Sequence, residues 1–425
     1  MKTIVFLTLI SMTTTLISCK STNTKTSPGP AETETPTENT QNGSTSDDNE
    51  LRNIELSAAE QQLVASSNDF AFNLFRALKS DKSQLVSPLS VTYALGMLNN
   101  GAAGQTQKQI NTVLGFGSAG TDAINDFCLK MLTECPSLDK QTKILIANTI
   151  YMNSGYKLKS DFIKTAKKHY LAEPETRNFA DGKTLNVINK WASDHTEGMI
   201  TEVLNKEEFN PSNVSYLLNA LYFKGSWTNK FDKDMTREET FNGKGKAMMM
   251  HKQSKYRYGD NDVCQTIELP YGNEAYAMTL LLPHRDKTIN DVVSSLDGNK
   301  WAEMRGNMGR ALVDLKMPRF ETKSDINLKN VMSGLGMPLA FSGAADFSNF
   351  CNTATHIDLM KQVAKIKLDE EGTEAAAVTV IGMRKTSSAE RPERPIEFHA
   401  DRPFVYVITE QSTGAIFFIG QYTGN

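Results

Sequence analysis

The chain has little from which to build an enzyme. Its 425 residues hold six histidines, His169, His195, His251, His284, His356 and His399, and none stands four residues from another, so no helical imidazole pair is available to a metal. There is no GxSxG elbow and no GxxxxGK[ST] loop. Gly115–Phe116–Gly117–Ser118–Ala119–Gly120 matches GxGxxG, but it follows the helical pattern of Ile110, Val113 and Leu114. A phosphate cradle needs a strand before it, so this is expected to be a helix-to-helix loop. Glu370 and Glu371 are adjacent, so on a strand their carboxylates face opposite ways and cannot share a proton. With no catalytic constellation, neither an enzyme nor a cofactor or metal is expected.

Cysteine is scarce too. There are five, with no CxxC. Cys128 and Cys135 would stack on one helix face about 10 Å apart, beyond disulfide reach unless the helix breaks between them. With Cys264 and Cys351 they are expected to be buried free thiols, although export would permit pairing. Charge is nearly balanced, 46 Lys and Arg against 49 Asp and Glu, and no cationic stripe is present. Nucleic acid and polyanionic activators are therefore not expected partners. Lys167–Lys168–His169 is expected to be a solvated helix face.

Apolar runs long enough to span a bilayer are missing; the run Ile4–Ile10, which follows Lys2, is too short for that. Residues 1–18 are expected to be a targeting segment. The junction Leu16–Ile17–Ser18–Cys19 resembles the cleavage site of bacterial lipoproteins, in which the Cys19 thiol would carry the lipid; a plain secretory cut is the alternative. Each buried CH₂ of such an anchor contributes about 0.8 kcal/mol. The location this implies is a bacterial cell envelope, periplasm-facing or surface-exposed. Residues 20–50 are Ser, Thr, Asn, Glu, Pro and Gly with hardly an apolar side chain, so they are expected to form a disordered tether.

What is present is a large apolar complement, 39% of the chain, without an internal repeat or second linker, as in one large domain over 51–425. Phe70, Leu74, Phe75 and Leu78 recur at helical spacing behind Ser66–Ser67–Asn68, so a helix is expected to start there. Ser87–Pro88 opens another helix. Lys143–Met152 reads as a strand and Phe162–Tyr170 as a helix. Tyr216–Phe223 is almost continuously apolar, as in a strand covered on both faces. Tyr276–Pro283, Ala311–Phe320, Lys361–Asp369, Val405–Glu410 and Ala415–Gly420 read as further strands. Helices first and strands later suggest α+β with large antiparallel sheets.

The most informative stretch runs from Glu370 through Glu371, Gly372, Thr373, Glu374, Ala375, Ala376, Ala377, Val378 and Thr379. At period two, Thr373, Ala375, Ala377, Thr379, Ile381 and Met383 share one uncharged face, small at its start. No proline interrupts it before Pro392. The polar run Arg384–Pro392 that follows suits an exposed, cuttable loop. Strand at one end and protease bait at the other suggest a switch; an edge strand leading into a surface loop is the plainer alternative.

This stretch resembles the proximal hinge of the serpin reactive-centre loop. Other blocks resemble the same family, in its order, over roughly residues 55 to 425: Leu85–Ser90, Ile188–Trp191 with Thr196–Gly198, Asn219–Trp227 with Phe231, Asp401–Tyr406 and Gly414–Gly420. The resemblance implies the serpin fold, an α+β domain with N-terminal helices packed on large, mostly antiparallel sheets and an exposed reactive loop over about 370–395. It implies a monomeric suicide inhibitor of serine proteases, with cysteine proteases a second target class. Cleavage would let the loop insert as a new central strand and trap the acyl-enzyme; a non-inhibitory serpin acting as a chaperone or binding module is the alternative. The family's spacing from Gly372 places the specificity residue at Thr386, with Ser387 after the cut. A trypsin-like pocket favours the long cation of Lys385 or Arg384, so Lys385–Thr386 is the expected bond. Elastase-like cleavage at Thr386 or Met383 is next, and Arg384–Lys385 serving only solubility is the alternative. Ser87, Ser90 and Asn219 match a polar cluster under the parting strands, and Trp227 matches an aromatic where the loop enters. Gln362 departs from the histidine often found there.

Overall fold

The computed structural model describes residues 49–117, 119–373 and 394–424. The expected leader, Cys19 and nearly all of the tether lie outside the described residues. So do Glu374, Ala375, Ala376, Ala377, Val378 and Thr379 of the hinge, and Met383, Arg384, Lys385, Thr386 and Ser387.

The helices are α1 (Ala58–Leu78), α2 (Pro88–Gly101), α3 (Gly104–Leu114), α4 (Thr121–Glu134), α5 (Ser160–Tyr170), α6 (Thr184–His195), α7 (Ile289–Ser294), α8 (Gly298–Gly306) and α9 (Lys329–Leu335). Helix α1 starts well before Ser66. Ser57 caps it, its hydroxyl accepting from the Glu60 amide while the Glu60 carboxylate accepts from Ser57 N at 2.7 Å. Ser66, Ser67 and Asn68 are instead buried inside the helix: Asn68 Nδ2 donates to Gly414 O and its Oδ1 accepts from Ile416 N, both at 3.0 Å. The glycine-rich motif does join two helices, α3 ending on left-handed Gly115 at φ 68° and α4 beginning at Thr121. Helix α4 gives way to a tight turn at Cys135–Ser137. The four described cysteines are free and buried, and burial pushes the Cys128 and Cys264 thiols up to about 12, leaving them unreactive.

The strands are β1 (Gln84–Val86), β2 (Thr142–Asn153), β3 (Glu175–Arg177), β4 (Ser215–Ser226), β5 (Arg237–Phe241), β6 (Gly245–Asp260), β7 (Cys264–Tyr271), β8 (Tyr276–Pro283), β9 (Gly309–Pro318), β10 (Phe320–Asn327), β11 (Leu359–Leu368), β12 (Gly372–Thr373), β13 (Ile396–His399), β14 (Phe404–Glu410) and β15 (Ile416–Tyr422). They form a nine-stranded sheet ordered β1-β15-β14-β8-β7-β6-β9-β13, with β5 on β6, and a six-stranded sheet ordered β10-β11-β12-β4-β2-β3. The run Ala311–Phe320 is therefore two strands in two sheets, divided at Pro318. Pairing is antiparallel except for β11–β4, β2–β3 and β13–β9. One face of the six-stranded sheet joins the main core; the other carries Leu218, Ala220, Leu359 and Val363 against Ile188 and Trp191 of α6. Strand β4 is buried on both faces, which is why it reads as an unbroken apolar run.

Candidate functional site: a seam held open by the hinge

Strands β11 and β4 pair directly, in parallel, from Leu359↔Tyr216 to Lys365↔Tyr222. Above that level they part, and β12 lies between them, with Thr373 opposite both Leu368 and Gly225. Two residues of the hinge thus already occupy the place of a central strand. Gly372 permits this. Its φ is 148°, and a Cβ there would fall 2.1 Å from Gly225 O, so no side chain fits.

The wedge is fastened on every side. Thr373 is fully buried, and its hydroxyl lies 2.8 Å from Tyr271 Oη. Tyr271 stacks on Trp227, centroids 4.5 Å apart. The Trp227 indole donates to Asp369 O at 2.9 Å, and the backbone amides of Trp227 and Phe231 donate to Glu371 O and Glu370 O. Glu370 is buried, accepting from Arg319 Nε at 2.6 Å and from the Thr236 hydroxyl. Burial alone would raise its carboxyl, but the Arg319 and Thr236 hydrogen bonds outweigh that and hold it below the usual range. Glu371 points elsewhere, to Lys230 at 2.7 Å and Lys233 at 3.0 Å, and those hydrogen bonds lower it too. The adjacent carboxylates share no site.

Lower in the seam, Gln362 Nε2 donates to Asn219 Oδ1 at 2.6 Å and to Ser87 O at 3.1 Å, while Ser87 N donates to Gln362 Oε1. Asn219 Nδ2 donates to Ser90 Oγ and to Asn148 Oδ1. Ser87, Ser90, Asn219 and Gln362 are thus brought together, and the amide of Gln362 both donates and accepts, as a glutamine can. The Ser87 hydroxyl itself caps α2, accepting from Ser90 N. Asn148, Arg319, Thr236 and Tyr271 carry no local sequence signal; each reaches the site from a separate strand or turn.

The far end of the loop is anchored at β13, an edge strand. Asp314 on β9 bridges two imidazoles, His251 Nε2 at 2.6 Å and His399 Nε2 at 2.9 Å. Burial would raise this carboxyl, but both hydrogen bonds hold it below its ordinary range. Among the described residues no group of three His, Cys, Asp or Glu could hold a metal, and no helix is long and apolar enough to cross a membrane.

The Glu370–Arg319 contact gives a pH-dependent prediction. Replacing Arg319 by Met leaves a buried carboxylate with neutral donors only and is expected to cost about 3 kcal/mol at pH 7, the low end for a broken buried pair because Arg319 is half-exposed. The parent carboxyl is depressed, so its contribution is complete above the unfolded glutamate value and fades as pH falls through the folded value. In Arg319→Met the same carboxyl is pushed up. The melting-temperature gap between the two proteins should therefore be widest near pH 7 and shrink toward pH 4; a constant gap contradicts the assignment.

Comparison with known proteins agrees with this geometry. Residues 65–424 match the family model described as Serpin (serine protease inhibitor). The chain is 32% identical to Serpin B6 of Pongo abelii over 375 residues, 85% of this chain and 99% of that protein. It is 29% identical to Neuroserpin of Gallus gallus, covering 82% of this chain and 88% of the relative. Among solved structures it is similar to the thermophilic serpin tengpin in its native state, with TM-score 0.80, 27% identity and coverage of 89% and 97%. Human thyroxine-binding globulin complexed with its ligand shares the fold at TM-score 0.78, covering 86% of this chain and 98% of that one, with 24% identity. A sheet parted by its own loop, on a chain that matches along nearly all of its folded length, places this protein in the serpin family of protease inhibitors.

Proposed function

We propose that this protein is an irreversible suicide inhibitor of serine proteases, with trypsin-like enzymes its preferred targets, elastase-like enzymes next and cysteine proteases a second class. The protease serine attacks the Lys385 carbonyl, the bond to Thr386 breaks, and Thr386 leaves as a new amino terminus. The freed strand then enters the seam faster than water hydrolyses the ester, carrying the enzyme with it. The observation that carries this reading is the placement of Gly372 and Thr373 between β11 and β4.

The register supports the choice of bond. Extending the pairing of Thr373 with Leu368 and Gly225 one residue at a time brings Thr379 level with Gln362 and Asn219, and Met383 level with Ser215, where β4 begins. A cut after Lys385 frees a strand that spans the whole seam. A cut after Met383 leaves nothing to spare at about 3.3 Å per residue. The hinge also lacks the charge, bulk or proline on its inward face that would suit a non-inhibitory binding module. Lipid on Cys19 would hold the inhibitor, as a monomer, at a bacterial cell envelope through the tether.

Incubation with a trypsin-like and an elastase-like protease is expected to give an SDS-stable adduct of the protease with the inhibitor's amino-terminal part, and, in the trypsin-like case, a separate released fragment of residues 386–425 that begins at Thr386. Cleaved product alone, with active protease recovered, would favour the binding-module reading.

A further inference from the structure

The core-facing side of the seam is crossed by the neutral contact of Gln362 with Asn219. The opposite side is crossed by a charge. Lys361 is 1% exposed, and among the described residues no other lysine or arginine is so deeply buried. Its ammonium lies 2.8 Å from Asp325 Oδ1 and 2.5 Å from Glu208 Oε2. A cation in that position needs its partners, because leaving it unpaired costs several kcal/mol.

The two carboxylates belong to different sides of the parting line. Asp325 sits on β10, which pairs with β11 from Phe320↔Leu368 to Asn327↔Lys361, so it travels with Lys361 wherever β11 goes. Glu208 sits in the connection from α6 to β4, and that connection is tied to the other half. Asn210 N donates to Tyr216 Oη at 2.7 Å, Asn153 Nδ2 donates to Pro211 O at 3.0 Å, and Phe209 stacks on Tyr216. Glu208 is itself aimed by Asn205, whose amide donates to Oε2 and whose side-chain oxygen accepts from Glu208 N.

A strand inserted between β11 and β4 moves them apart by about 4.8 Å. That distance is incompatible with the Lys361–Glu208 contact unless the α6 connection tears away from Tyr216. The Lys361–Asp325 contact survives the same movement. Continued from Thr373, the register puts Val380 level with Lys361 and Leu218. An apolar valine replaces the carboxylate at the moment of passage. We propose that Lys361 and Glu208 form an ionic latch across the seam, a pair of positioning residues that governs how fast an inserting strand passes the level of Val380. The latch rests on the loop-insertion reading above.

The pair of variants that tests it is Glu208→Gln and Asp325→Asn. Each leaves Lys361 one carboxylate, but only the first cuts the contact that crosses the seam. A synthetic peptide of residues 374–384, continuing from Thr373, is mixed with the intact full chain, and its uptake is followed by the rise in melting temperature. Glu208→Gln is expected to take up the peptide about tenfold faster than the parent, corresponding to about 1.4 kcal/mol of barrier. Asp325→Asn should stay within about twofold. Equal rates for Glu208→Gln and parent overturn the latch, and so does equal acceleration by Asp325→Asn, which would make Lys361 a general strand stabiliser. A parent that neither takes up the peptide nor gains stability on loop cleavage overturns the insertion reading, and the latch with it.

Discussion

Nicking the loop at Lys385 with a trypsin-like protease is expected to raise the melting temperature of the serpin by about 20 °C. Among the described hinge residues Thr373 pairs with both neighbours, Leu368 and Gly225, and Gly372 pairs with Ser226. Once the chain is cut, residues 374–383 can continue the strand down to Ser215, forming ladder bonds with β11 on one side and β4 on the other. Each such bond contributes about 1 kcal/mol net, and burial of Ile381 and Met383 adds about 1.5–3 kcal/mol apiece. Ordering the strand offsets part of this, at about 1–2 kcal/mol per residue. The β11–β4 pairs from Leu359↔Tyr216 to Lys365↔Tyr222 are given up as well; at about 2 °C per kcal/mol for a large domain, the expected rise corresponds to about 10 kcal/mol left after these losses. Calorimetry of intact and nicked protein checks it. An unchanged transition would mean that the parallel β11–β4 pairing is already the best arrangement the sheet can reach.

The second large effect is expected from Thr373→Arg. Thr373 is fully buried, with its hydroxyl on Tyr271, and Tyr271 is fixed against Trp227. A guanidinium there would meet an aromatic wall, because Glu370, the nearest buried carboxylate along the chain, already holds Arg319. The wedge should be expelled and the seam should close above Lys365. Cleavage at Lys385 would continue, but strand entry would lose the race to hydrolysis. The trapped fraction in an SDS gel is expected to fall more than tenfold while turnover to nicked product rises. Thr373→Ser keeps the hydroxyl and should behave as the parent. If Thr373→Arg traps as efficiently as the parent, the wedge has no part in insertion.

Much of this molecule was legible in its sequence where a single periodicity ruled. The apolar run Tyr216–Phe223 marked a strand covered on both faces, and β4 is that strand. Ser87–Pro88 marked the start of α2. The readings failed where polar residues serve the tertiary structure. Ser66, Ser67 and Asn68 look like a cap, yet Asn68 is used mid-helix to bond the Gly414–Ile416 turn. Alternation from Ala311 to Phe320 hid a change of sheet at Pro318, because period two is the same in both sheets. Arg319 lies at that change, its amide held by Met248 O and its side chain on Glu370. A charge pair 51 residues apart has no local signature. Lys361 was similarly hidden: within β11 it reads as one more lysine among Lys365 and Lys367, and its partners Glu208 and Asp325 are distant in sequence.

The fastened wedge has a kinetic corollary. A zipper with its slider off the track must first find the teeth; here Thr373 sits on them, with Leu368 to one side and Gly225 to the other. Loop entry should then show no lag phase, its velocity set by travel and not by capture. Two changes of equal thermodynamic weight, one at the wedge and one far below it, would differ in the shape of the progress curve: the first would introduce a delay, the second only a shallower slope.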